Sequence, residues 1–157
     1  MLKKIDVYIG AVILIIIDQA TKVLVANSMV GKSITIIKNI LNFTYCENKG
    51  VAFSLGSGNV ATFIVVNLFI ICGLVYYYIK NFKQFNGLKK VFFTMVIAGG
   101  TSNLIDRIIR GYVVDFIDIT AAFNFAIFNI ADIYVVIGIV GLSIKIISEM
   151  IYNNKNV

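Results

Sequence analysis

The sequence has no histidine, no proline and no tryptophan, only two cysteines, and charged side chains at just 14% of its 157 positions. Each shortage excludes something. Without histidine there is no Ser-His or Cys-His nucleophile pair, and no Gly-x-Ser-x-Gly elbow is present either. Without proline, and with no stretch rich in serine or glycine, nothing reads as a linker, so residues 1–157 are expected to form a single domain. Cys46 and Cys72 make no metal-binding spacing, and one falls in a loop while the other falls in an apolar segment. They are read as unpaired, inert thiols, and neither a metal nor another cofactor is expected. A soluble domain carries about 25% charged residues. This chain is 59% hydrophobic with a mean hydropathy of +0.91, too apolar to cover itself with a polar surface. It reads as an integral membrane protein in contact with membrane lipids. The net charge of +6 is spread over scattered lysines, which suits topology determinants and gives no nucleic-acid surface.

Four segments, at roughly 5–26, 59–79, 91–110 and 129–149, are long and apolar enough to cover the hydrocarbon thickness of about 30 Å. The first begins with Lys3-Lys4 like a signal peptide, but Val25-Ala-Asn-Ser28 is a poor cleavage site and the run holds Asp18, so it is read as a retained helix. Lys3, Lys4, Lys80, Lys83, Lys89, Lys90, Lys145 and Lys155 fall on one side of the four spans, and Lys32, Lys38, Lys49 and Arg110 on the other. The positive-inside rule then puts both termini in the cytoplasm. Ser33–Ile37 and Leu41–Tyr45 are rich in β-branched and aromatic residues and predict strands. The expected fold is thus four transmembrane α-helices with a small extracytoplasmic β-sheet on the outer membrane surface. Gly56, Ser57 and Gly58 mark the turn into the second helix, and Phe123, Phe125 and Phe128 are candidate interfacial anchors.

Polar residues inside such segments are functional candidates, because an ionised group in hydrocarbon costs several kcal/mol. Asp115 and Asp132, at the edges of apolar segments, are the leading pair. Asp18 and Lys22 are spaced i,i+4 and can pair on one helix face. Asn103, Asp106, Arg107 and Arg110 form one stripe near the outer end of the third helix, and Asn129 precedes Asp132 in the first turn of the fourth. The topology brings all of these, with Asn48 of the outer loop, to one depth near the outer face. Plainer roles fit each of them. Asp18 with Lys22, and Asp106 with Arg107, read as structural ion pairs; Arg110 as an interfacial snorkel; Asp118 as a solvated loop residue; Asn103 and Asn129 as interhelical hydrogen bonders. For Asp115 and Asp132, helix capping and catalysis are equally consistent with the residues alone.

Five pieces together resemble the lipoprotein signal peptidase (signal peptidase II) family of bacterial membrane aspartyl peptidases: Asp18-Gln-Ala-Thr-Lys22, Asn48-Lys-Gly-Val-Ala-Phe-Ser54, Gly99-Gly-Thr-Ser-Asn103-Leu-Ile-Asp106-Arg107, Val113-Val-Asp115-Phe116 and Phe128-Asn129-Ile-Ala-Asp132. They stand in the family's order and cover almost the whole chain. Ser102 stands where the family often has glycine and Ile133 where it often has serine, and the loop before Phe128 lacks the family's tryptophan and proline. The resemblance implies that Asp115 and Asp132 are the catalytic dyad. It implies that Asn48, Asn103, Arg107 and Asn129 position the substrate, and that Asp18 and Lys22, with Asp106, support the site. The implied substrate is a prolipoprotein carrying diacylglycerol on its cysteine, cut just before that cysteine by a monomeric enzyme in the bacterial cytoplasmic membrane.

Other designs stay open on the residues alone. A Ser–Lys hydrolase would need Ser54 within reach of Lys22. A proton-coupled transporter would stagger Asp18, Asp106, Asp115 and Asp132 through the bilayer. An assembly factor would tolerate asparagine at 115 and 132.

Overall fold

The computed structural model describes residues 3–50 and 60–154. The Val51–Ser54 part of the second motif, the Gly56–Gly58 turn and Lys155 lie outside the described residues. Four helices and three strands follow in the order α1 (Lys4–Ser28), β1 (Ser33–Ile37), β2 (Leu41–Asn48), α2 (Val60–Asn81), α3 (Gly87–Arg110), β3 (Val113–Asp118) and α4 (Ile130–Asn154).

Three of the helices, α1, α2 and α4, are long and apolar enough to cross a membrane. Their outer faces are sheathed in exposed large hydrophobics such as Ile16, Leu24, Phe69, Val136 and Ile144, the reverse of a soluble protein's surface. The third expected span, α3, differs. It has 24 residues and is about 36 Å long, yet it is not apolar enough to count by composition. The reason is its position: α1, α2 and α4 all pack on it, and it carries the polar residues of the site. A helix surrounded by other helices need not be apolar all round.

Local chemistry fixes where α3 begins and ends. Asn86 caps its start by accepting from the Lys89 amide at 2.9 Å. Gly111, at φ +78°, ends it in the left-handed region and donates to the Arg107 carbonyl at 3.2 Å. Only Tyr112 then separates that cap from β3. The sheet is antiparallel in the order β1-β2-β3, with Cys46 opposite Asp115. The expected strands β1 and β2 are present. The segment after Gly111, expected as a loop, contributes the third strand. Asp118, expected in solvent, lies in β3 and is 8% exposed, accepting hydrogen bonds from Thr44, Thr120 and the Thr120 amide. Phe128 is hooked back onto β3: its carbonyl accepts from the Phe116 and Ile117 amides, and its own amide donates to Ile117. That closure delivers Asn129, and so the start of α4, beside Asp115. Of the expected anchors, Phe123 and Phe125 are exposed, while Phe128 is half-buried against the edge of Phe125.

α3 and α4 run antiparallel in very close contact. A Cβ at Gly99 would lie 2.4 Å from the Ala131 carbonyl oxygen, and one at Gly138 would lie 2.8 Å from the Phe92 carbonyl oxygen. Small residues let the two backbones approach, and the Gly99 contact fixes the height of α4's first turn. Gly99→Ala is therefore expected to push that turn away and to cost about 1–3 kcal/mol of stability. Gly10→Ala in α1 meets nothing within 4 Å and should be neutral or stabilising. Thermal unfolding of the two variants in the same detergent checks the contrast.

Candidate active site

The centre of the polar cluster is a lysine. Lys22 is completely buried, and an ammonium has three N–H donors and no acceptor. All three are used: Asp18 at 2.7 Å, Asp106 at 3.0 Å and the side-chain oxygen of Asn103 at 2.8 Å. The expected Asp18–Lys22 pair is thus one half of a buried triad. Asp106 pairs with Lys22 and, at 3.6 Å, with Arg110, rather than with Arg107 as the sequence suggested. Adjacent helix residues point about 100° apart, so Asp106 faces α1 while the Arg107 guanidinium turns back to donate to the Asn103 carbonyl at 3.3 Å. Arg110, expected to snorkel freely, is this carboxylate's second cation.

The two structural carboxylates each hold a backbone amide next to one member of the leading pair. Asp18 Oδ1 accepts from the Ala131 amide at 2.8 Å, the residue before Asp132. Asp106 Oδ2 accepts from the Val114 amide at 3.2 Å, the residue before Asp115. Two side chains that the sequence analysis passed over complete this layer. Ser102 Oγ donates to Asp18 at 2.7 Å, and the Gln19 amide donates to Ser102 Oγ at 3.0 Å and to Asp106 at 3.2 Å. Both were visible as polar residues beside motif positions in otherwise apolar spans.

Asparagine amides carry this arrangement to Asp115 and Asp132. Lys22 can only donate, so the Asn103 oxygen faces it, and the Asn103 NH2 is left to donate to Asp132 Oδ1 at 2.7 Å. Asn129 and Asp132 form a reciprocal capping box at the start of α4: Asn129 Oδ1 accepts from the Asp132 amide at 3.0 Å, and Asp132 Oδ2 accepts from the Asn129 amide at 3.1 Å. The capping role foreseen for Asp132 is therefore present, alongside its contact with Asn103. With its oxygen so committed, Asn129 donates to Asp115 Oδ1 at 2.6 Å and to the Asn103 oxygen at 3.1 Å. On the other side, the Asn48 oxygen accepts from the Gly50 amide at 2.9 Å, so its NH2 donates to Asp115 Oδ2 at 2.9 Å. Gly50 sits at φ +82°, and a Cβ there would meet the Phe63 ring at 2.8 Å. The turn that orients Asn48 thus requires glycine.

Asp115 and Asp132 are therefore held by neutral donors alone, and among the described residues neither lies within ion-pairing distance of a cation. Asp18 and Asp106 instead share Lys22 as a counter-charge, and Arg110 lies on Asp106 as well. Burial pushes the Asp115 carboxyl up from its ordinary 3.8 to about 6. The hydrogen bond from Asn48 opposes that rise, the Asp132 charge adds to it, and Asn129 and Lys22 also oppose it. Asp115 opens on a cleft of about 490 Å³ walled by Cys46, Asn48, Ala126 and Ile127. Asp132 opens on an adjoining apolar depression of about 240 Å³ lined by Phe125, Phe128, Ile133 and Val136. Cys46 and Cys72 are free thiols, as expected, the first of them in the Asp115 cleft.

A bundle sheathed in apolar side chains, with a desolvated carboxylate site at one end, has the build of a membrane enzyme. Two solved bacterial membrane enzymes match it closely. One has a TM-score of 0.81 at 37% identity, covering 89% of this chain and 91% of the other. The second has a TM-score of 0.82 at 36% identity, covering 92% and 88%. The family model of signal peptidase (SPase) II matches residues 10–148. The lipoprotein signal peptidase of Fusobacterium nucleatum is 37% identical over 144 residues, 91% of this chain and 85% of that protein. That of Staphylococcus aureus is 38% identical over 141 residues, 88% and 86%. The chain belongs to the signal peptidase II family and is a membrane peptidase.

The triad makes a direct prediction. Lys22→Met leaves Asp18 and Asp106 without their shared counter-charge and should cost about 3–5 kcal/mol, enough to abolish stable folding. The triple change Lys22→Met, Asp18→Asn, Asp106→Asn removes the stranded charges and should recover folded protein, but not activity. Size-exclusion profiles and thermal unfolding of both variants check this.

Proposed function

We propose that the chain is an aspartyl endopeptidase that removes the signal peptide from diacylglyceryl-modified prolipoproteins, cutting just before the lipidated cysteine. The observation that carries this reading is the contrast among four clustered carboxylates: two are ion-paired to one shared lysine, while Asp115 and Asp132 are held by neutral amides and open on clefts. Two carboxylates sharing a site cannot both ionise freely, so the pair retains one proton. The ionised member takes a proton from water as the water oxygen attacks the scissile carbonyl, and the protonated member polarises that carbonyl oxygen. The tetrahedral intermediate collapses with protonation of the cysteine amine, releasing the signal peptide. Water is the nucleophile and no acyl-enzyme forms. Asn48, Asn103 and Asn129 orient the dyad and, with Arg107, position the peptide. The whole chain acts as one monomeric domain with α3 crossing the membrane beside the other three helices, both termini cytoplasmic, and the dyad near the outer face.

Two competing designs fit less well. A Ser–Lys hydrolase needs a free lysine amine as base, whereas all three Lys22 donors are committed and two of their acceptors are carboxylates. A proton path needs carboxylates staggered through the bilayer, whereas Asp18, Asp106, Asp115 and Asp132 gather at the sheet end of the bundle.

Purified wild-type protein is expected to cleave a diacylglyceryl-modified prolipoprotein. Asp115→Asn and Asp132→Asn should each insert normally and lose essentially all turnover. Near-normal activity in either variant overturns the dyad, and a wild type that cannot cut the lipidated precursor overturns the peptidase specificity.

The pH profile offers a second test. The free enzyme loses its shared proton as pH rises through the upper dyad pKa, so kcat/KM should fall on the alkaline side. Asn48→Ala removes a donor that favours the ionised form of Asp115, so Asp115 should move above about 6 and the alkaline limb should shift to higher pH. A loss of activity with no shift of that limb would contradict the assignment.

A further inference from the structure

The end of the molecule opposite the dyad carries a second built feature. Lys3, Lys4, Lys80, Lys83, Lys89 and Lys90 gather there, and the acidic residues there are Asp6 and Glu149. Glu149 is taken by Lys89, and Asp6 accepts from the Lys3 backbone amide. Four of these lysines lie over aromatic rings: Lys4 at 5.9 Å and Lys90 at 4.2 Å from the Phe82 ring centre, Lys80 at 5.8 Å from Tyr76, and Lys89 at 5.8 Å from Phe85. Lys4 and Lys90 therefore share one ring. The stability of α3 does not account for this charge, because lysines in a helix's first turn oppose its macrodipole.

Beside this charge lies a slot. α1 and α2 each pack on α3, and near this end they leave a space of about 80 Å³ between them. Its walls are Lys4, Tyr8 and Ala11 of α1 and Tyr78 and Phe82 of α2, with Ile97 of α3 as the floor. The α1 residues recur at helical spacing along one face, as do those of α2, so the slot runs parallel to the helices. It is apolar along its length and cationic at the Lys4 end. An apolar slot lying along the membrane normal, with exposed lysines and aromatic rings at its mouth, matches one kind of membrane component: an acyl chain bearing an anionic headgroup at the interface.

We propose that this end of the bundle holds one anionic phospholipid, its phosphate on Lys4 with Lys80 or Lys83 beside it, and part of an acyl chain between α1 and α2. The site is separate from the peptidase reading and is tested by lipid binding, so the two can fail independently.

The full chain, purified in neutral detergent, is titrated with phosphatidylglycerol, with phosphatidylcholine of the same acyl chains, and with inorganic phosphate. Bound lipid is counted by native mass spectrometry, and Tm is followed in parallel. One phosphatidylglycerol should bind saturably, and at ten times its Kd it should raise Tm by roughly 3–6 °C. Phosphatidylcholine and free phosphate should do neither. Lys4→Gln, whose exposed side chain leaves the fold intact, should weaken binding roughly fivefold. Ala11→Leu, which fills the slot, should weaken it at least as much. Lys38→Gln, the same change in net charge on the outer hairpin, should leave binding unchanged. Prolipoprotein cleavage in neutral detergent should be unaltered in all three variants. Equal binding of the two lipids, a phosphate effect equal to that of the lipid, or phosphatidylglycerol binding that survives both Lys4→Gln and Ala11→Leu overturns the proposal. Binding that Lys4→Gln weakens and Ala11→Leu leaves intact overturns the slot as the acyl-chain site.

Discussion

The whole site depends on one buried ammonium. Lys22 brings Asp18 and Asp106 together in a volume from which water is excluded, and their mutual repulsion there is offset by the lysine between them and by Arg110 at 3.6 Å from Asp106. Each carboxylate then uses a remaining lone pair on a backbone amide, that of Ala131 beside Asp132 on one side and that of Val114 beside Asp115 on the other. Asp132 belongs to a helix and Asp115 to a strand, two elements that share no regular hydrogen bonding of their own. Their spacing is set because both are hung from the same ion triad. The third donor of Lys22 fixes the orientation of Asn103, which in turn presents its NH2 to Asp132. One cation thus determines both the backbone frame and the polarity of the amide that touches the dyad.

The same electrostatics divides the four carboxylates into two kinds. A carboxylate against an ammonium in a dry interior is committed to its ion pair. A carboxylate held by neutral amides keeps access to both protonation states. Asp115 combines desolvation, which raises its pKa, with two asparagine donors, which restrain the rise. That balance leaves it near the range where a shared proton is useful. Arg107 is close enough to bias the site but donates its hydrogen bond to the Asn103 carbonyl of its own helix, so it adds charge without locking either member of the pair.

Much of this was legible in the sequence, and the parts that were not share a physical cause. The Asp18–Lys22 pair follows from i,i+4 spacing, and the α3 stripe from helical periodicity. β3 did not show itself because Val113, Val114, Asp115 and Phe116 are all buried. A strand covered on both faces shows no alternation of polar and apolar residues. Asp118 was misjudged for the same reason: assigned to a loop, it was given to solvent, whereas in β3 its oxygens are filled by threonines. The partner of Asp106 was out of reach because a stripe gives the face a residue occupies but not which neighbouring helix lies against it. Ser102 and Gln19 were given no role in the site, although their hydrogen bonds are what complete the coordination of Asp18 and Asp106.

The hydropathy of α3 ties these points together. Composition ranks it below the other helices as a membrane span, and that deficit arises from the residues that make the site. A bundle in lipid gains little from burying apolar side chains that lipid would solvate equally well. Its central helix is instead held by what lipid cannot supply: backbone contact through Gly99 and Gly138, hydrogen bonds donated by Ser102 and Asn103, and those Asp106 accepts from Gln19 and Val114. Polar groups that orient the dyad are therefore the same groups that hold α3 to α1 and α4. A substitution that weakens the site should also loosen the bundle, so Asn103 and Asp106 cannot be exchanged on catalytic grounds alone. Asp115 is coupled through its backbone: Asp106 holds the neighbouring Val114 amide, while the Asp115 side chain faces Asn48, Asn129 and a cleft. Asp132 is only partly coupled: its backbone is pinned by Asp18, while its side chain faces Asn103 and a cleft. Asp115 and Asp132 thus share the frame that Lys22 builds but not its charge, since their own oxygens are met by neutral amides.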